Sequence, residues 1–266
     1  MWTHENRDTG YEMEKPAVSC DNRDFPTPIA ARKDLTTGRV ACPTRATAYR
    51  ILKRVVENSV RMLDNTIAEL TKAREAACRG EPLGSPNLGD VTACWLKYKL
   101  SVCIDDLSAW TQSTKKSRSV AEVIRRLVGP RELLAKNVIR FICDETATIC
   151  TPTTNAYTTP LEHDGHGGVR CIPGTPAMEI HLCAPFWNSA HAPFREQTII
   201  HEAVHLTHCG REDDTVGITI GSPECLAQFV VATNGKRLDP KFLGRCGYSK
   251  SCGKPPKNVK RMCAEA

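Results

Sequence analysis

Fourteen cysteines, at positions 20, 42, 78, 94, 103, 143, 150, 171, 183, 209, 225, 246, 252 and 263, run the whole length of this 266-residue chain. The number is even and roughly three times the usual density for a chain of this size. No two of them form a CxxC pair, which argues against zinc ribbons and thioredoxin-like redox sites. Dispersed and without metal-type spacing, they read as disulfides formed in an oxidising compartment, so the fold must bring distant segments together. Connectivity stays open. Cys143 with Cys150, Cys171 with Cys183, and Cys246 with Cys252 are near enough in sequence to clip local loops, and a Cys20 to Cys42 bridge would tie down the N-terminal arm.

The 41% hydrophobic content is enough for a sizeable core. No uncharged apolar run reaches the length of a membrane span. The opening MWTHENRDTGYEMEKP lacks a basic region followed by an apolar one, so a Sec-type signal peptide is not expected there. The net charge of +6 is mild and its Lys and Arg are scattered among acids, which disfavours nucleic acid as a partner.

Three regions follow from texture. Residues 1–43 are polar and aperiodic, and are expected to form an irregular, partly disordered arm. Residues 44–235 carry the folded domain, and 236–266 form a Cys-rich, loop-like tail. Apolar residues at three- and four-residue steps predict helices over 44–78 and 90–110. A third helix opens on the capping box Ser119-Val-Ala-Glu122 and is expected to break at Gly129-Pro130 before resuming through Ile139. Short strands are expected at 140–143, 155–157 and 178–183, with a Gly- and His-rich loop at 162–168 holding His163 and His166. Helices over 194–208 and 222–233 complete the domain, the latter opening on Ser222-Pro223-Glu224 and ending at Gly235.

Within the fourth helix stands His201-Glu202-Ala203-Val204-His205, an HExxH. On an α-helix, residues i and i+4 share a face, so both imidazoles can converge on one cation. Neutral imidazoles are good ligands for Zn²⁺, whose catalytic sites take three protein ligands and keep one position for water. Glu202, about 100° round the helix, stands beside that water as a general base. The opposite side carries Ile199, Ile200, Ala203 and Leu206, so the histidine face is expected to line a cleft. Two downstream acids stand at usable distances: Asp214, past a turn at Gly210, and Glu224, at a helix start where an acid is also favoured by the helix dipole.

The stretch IHLCAPFWN at 180–188 and REQTIIHEAVHLTHCGREDD after it resemble the segment through the zinc helix of the aspzincin metallopeptidases, the deuterolysin and peptidyl-lysine metallopeptidase group. FICDETATIC and NAYT upstream, and the helices from Thr44 to Ile139, are similar to that family's first half. The resemblance implies an α+β, zincin-like fold, with a helical N-terminal half, a small sheet and the HExxH helix as the active-site floor. It implies His201, His205 and Asp214 as zinc ligands and Glu202 as general base. A glutamate on the next helix, as at Glu224, resembles the gluzincin arrangement instead. The family's Gly-Thr-x-x-Asp-x-x-Tyr-Gly motif would be Gly210 to Ile218 here, without its threonine, tyrosine and last glycine. Tyr157, His208 and Arg211 are candidates for the missing donor. In the lysine-specific members, acids on the following helix receive the substrate lysine, and Ala227 stands where the second would fall.

The expected activity is therefore zinc-dependent hydrolysis of peptide bonds in a peptide or protein substrate, with backbone of a strand near 178–183 holding it extended. A secreted toxin or effector, with an immunity or inhibitor protein as partner, fits the disulfide-type cysteine load. Two other classes stay open: a zinc amidase or endopeptidase acting on peptidoglycan peptides, and a non-catalytic, disulfide-stabilised binding domain.

Overall fold

The computed structural model describes residues 43–81, 88–111, 118–143, 150–159, 161–163, 169–171, 178–188, 192–208, 220–238, 246–258 and 263. The N-terminal arm and the bridge expected within it lie outside these residues.

A 34-residue helix, α1 (Arg45–Cys78), begins where the apolar periodicity does and buries Leu52, Val55, Leu63 and Leu70 along one face. Next, α2 (Asp90–Tyr98) stops far short of Trp110. The amides of Leu100 and Val102 bond back to the Trp95 and Leu96 carbonyls, and Ser101 takes a left-handed φ of 60°. That conformation ends a helix. The chain then turns through Cys103, which is bridged to Cys252, into the short α3 (Ser108–Thr111).

Helix α4 (Val120–Ala135) opens as the capping residues predict, with Ser119 Oγ accepting from the Glu122 amide at 3.2 Å. It does not break at Pro130. A proline inside a helix costs about 3 kcal/mol, but Leu127, Pro130, Leu133 and Leu134 are all buried, and α4 packs along α1 and α6. Instead of resuming as helix, the chain enters strand β1 (Ile139–Cys143).

The sheet has the order β1-β5-β2, with β5 (Met178–Leu182) parallel to β1 and antiparallel to β2 (Ala156–Thr159). Ile139, Phe141, Ile180 and Leu182 turn their side chains into the core, while Glu179, His181 and Tyr157 take the opposite face. The strand expected to hold substrate is thus the central one, its backbone already paired on both sides. The edges are β1 and β2, and β2 packs on α6. A separate ribbon of β3 (Leu161–His163) and β4 (Val169–Cys171) flanks the segment expected to be only loop.

Helix α5 (Ala184–Asn188) buries Phe186 and Trp187, and its carbonyls at those two residues accept from the Arg195 guanidinium. Burial holds that guanidinium below its ordinary pKa. Helix α6 (Ala192–His208) crosses the core and packs most extensively on α7 (Pro223–Thr233). Every residue of α7 from Pro223 to Ala232 is buried, which fits a helix that is apolar nearly all round. Ser222 caps it, and Gly235, at φ 64°, closes it.

The disulfides between described residues are long-range rather than local. Cys94 joins Cys263, Cys103 joins Cys252, Cys150 joins Cys183 and Cys225 joins Cys246. These pairings exclude all three local clips that sequence proximity suggested. Of these four, among the described residues, three fasten the tail to α2, the turn after it, and α7. Such bonds fit an oxidising compartment. The mixed helix and sheet content is α+β, and no helix among the described residues is long and apolar enough to cross a membrane.

Candidate metal centre

Helix α6 buries Ile199, Ile200, Ala203 and Val204 completely, which fixes its rotation about its own axis. His201 and His205 then project together from successive turns. Their Nε2 atoms are 3.2 Å apart, and the ring planes meet at 63°. Two imidazole nitrogens on one tetrahedral zinc, each at 2.0–2.1 Å, stand about 3.3 Å apart. The observed pair fits that separation with no movement of the helix. Glu202, between them in sequence, is buried.

Glu224 enters from the first turn of α7. Its Oε2 lies 3.0 Å from Nδ1 of His201, the ring nitrogen that does not face His205. Its Oε1 accepts from Gln197 Nε2 at 2.8 Å and from Gln228 Nε2 at 2.6 Å. Glu224 thus stands behind His201 rather than beside the two Nε2 atoms. Gln197 and Gln228 were not singled out from the sequence: Gln228 stands one helical turn after its partner Glu224, but Gln197, four residues before His201, meets Glu224 only across the α6–α7 packing.

Asp214, with Glu212, Asp213 and Arg211, lies outside the described residues, as do His166 and His191. His208 ends α6, and its side chain is likewise outside them. Among the described residues no group of three or more His, Cys, Asp and Glu side chains is assembled for a metal. A third donor to His201 and His205 would have to come from elsewhere, and the segment 209–219 directly follows the helix that carries them.

Tyr157 stacks on His181 across the β2–β5 pair, centroids 4.6 Å apart and planes within 16°, on the sheet face turned from the core. On that same face Glu179 bonds Arg140 at 3.0 Å and lies 3.5 Å from His181. Phe186 and Trp187 are core residues, as expected. Compared with known proteins, the chain matches no family model, no curated protein sequence and no solved structure.

Proposed function

We propose that the protein is a zinc-dependent metallopeptidase of zincin type, with His201 and His205 holding the metal and Asp214 as the third ligand. The 3.2 Å approach of the two Nε2 atoms on one buried helix carries this reading. Zinc, when bound, supplies a Lewis acid that polarises the scissile carbonyl and acidifies a water. With the metal in place, Glu202 would accept a water's proton and return it to the leaving amine, so that hydrolysis consumes one water and frees one amine and one carboxylate. The backbone of β2, the edge strand packed on α6, pairs with an extended substrate. Secretion, as a toxin or effector acting on a protein outside the producing cell, is the setting that the disulfides favour.

Elemental analysis of the purified chain should give one zinc per molecule, and casein should be cleaved. Glu202→Gln should keep the zinc and lose at least a hundredfold in rate. Digestion of cell-wall peptides with casein untouched would move the substrate to peptidoglycan. Absence of stoichiometric zinc, or full activity in Glu202→Gln, would sink the mechanism.

A further inference from the structure

We infer that Glu224, clamped by Gln197 and Gln228, is a positioning residue that sets the tautomer and ring orientation of His201. This rests on the zinc reading above. The carboxylate has three polar neighbours. Two amide nitrogens, from Gln197 on α6 and Gln228 on α7, hold Oε1 at 2.8 Å and 2.6 Å. Held in that way, Glu224 brings Oε2 within 3.0 Å of Nδ1 of His201, an ion-pair distance without the alignment of a hydrogen bond. A carboxylate offers only lone pairs, so the proton of a neutral His201 belongs on Nδ1. Nε2 is then left unprotonated, the form a metal ligand requires, on the side where His205 Nε2 stands 3.2 Å away.

The arrangement also limits ring rotation. Glu224 and Gln228 are buried to 4% and 0% exposure, on the helix that packs most extensively against α6. Flipping the imidazole would place its proton toward His205 and an unprotonated nitrogen against a carboxylate. Partners behind a histidine ligand raise its basicity and fix its direction, and losing them costs ten- to a hundredfold in metal affinity. Glu224 therefore acts through His201, not as a ligand itself, and the two acids that the sequence offered for one role take different ones.

The test uses the full, oxidised chain. In the zinc-free protein, long-range ¹H–¹⁵N spectra at pH 8 should show His201 as the Nδ1–H tautomer, and an Nε2–H tautomer would overturn the proposal without any metal being involved. Competition against a chelator should then show Glu224→Gln binding one zinc ten- to a hundredfold more weakly than the parent. The visible bands of the Co²⁺-substituted variant should keep the parent's positions and intensities. Unchanged affinity in Glu224→Gln would refute the positioning role, and a changed Co²⁺ spectrum would make Glu224 a ligand. Gln228→Ala, which leaves the carboxylate in place, should weaken zinc by a smaller factor, and equal affinity there would remove the clamp from the argument. A parent protein that binds no zinc while its His201 carries the Nδ1 proton would defeat the peptidase reading and leave the tautomer assignment standing.

Discussion

The Lys99 ammonium lies 3.6 Å from the centre of the Tyr248 ring and donates to the Cys246 carbonyl at 2.6 Å. With only 1% of the residue exposed, this is a buried charge that joins the end of α2 to the tail. The Ser249 amide adds a bond to the Tyr98 carbonyl beside it. A desolvated cation–π contact and a charged hydrogen bond are each worth about 2 kcal/mol. Lys99→Met keeps most of the volume and removes both. It should lower stability by up to about 4 kcal/mol in urea titrations, and limited proteolysis should cut first within 246–258.

Reduction should matter more than any single core substitution. The Cys94–Cys263 and Cys103–Cys252 bonds close loops of 169 and 149 residues. Cross-links of that span restrict the unfolded chain by about 4–5 kcal/mol each in the loop-entropy picture. The Cys103→Ser, Cys252→Ser double variant should unfold at a markedly lower urea concentration than the parent. Because the two loops are nested, losing both bonds should cost less than twice that amount.

Acid should weaken the molecule through Glu122. Burial pushes its carboxyl pKa up, but hydrogen bonds and charge from Arg125 and Arg126 outweigh this and hold it below the ordinary 4.5. A carboxyl depressed in the folded state stabilises above its unfolded pKa and loses that contribution as pH falls through the folded value. Glu122→Gln should therefore melt at a lower temperature than the parent at pH 7, and the difference should shrink steadily as pH drops below 4.5. Melting curves of both proteins between pH 7 and pH 3 decide it.

Zinc should act as a stabilising ligand. At a free concentration 100 times the dissociation constant, a ligand specific for the folded state adds about 2.7 kcal/mol. The parent's melting temperature should rise on zinc addition and fall back with chelator. His201→Ala and His205→Ala should show no zinc-dependent shift, and Gln197→Ala should show a reduced one.

Where local rules governed, the sequence was readable. The apolar period of α1, the Ser119 and Ser222 caps, and Gly235 at a left-handed φ each carry their own structural instruction. The end of α2 does not, because it depends on the turn at Ser101 and a bond to Cys252 far along the chain. Pro130 misled for a related reason, since burial against α1 and α6 outweighs a local penalty. Disulfide partners were illegible because proximity in sequence says little once a tail folds back over helices. At the candidate site, the shared face of His201 and His205 follows from a four-residue step. The place of Glu224 behind His201 depends on the register between α6 and α7, which only the folded chain displays.

The bonds from α2 and its following turn to the tail make most of the chain into two nested covalent rings. A ring of that kind cannot be drawn through a narrow channel as a single strand. Any passage in which this chain is threaded end-first must be complete before Cys94 meets Cys263, so oxidation would mark the side of the barrier on which the protein finishes folding.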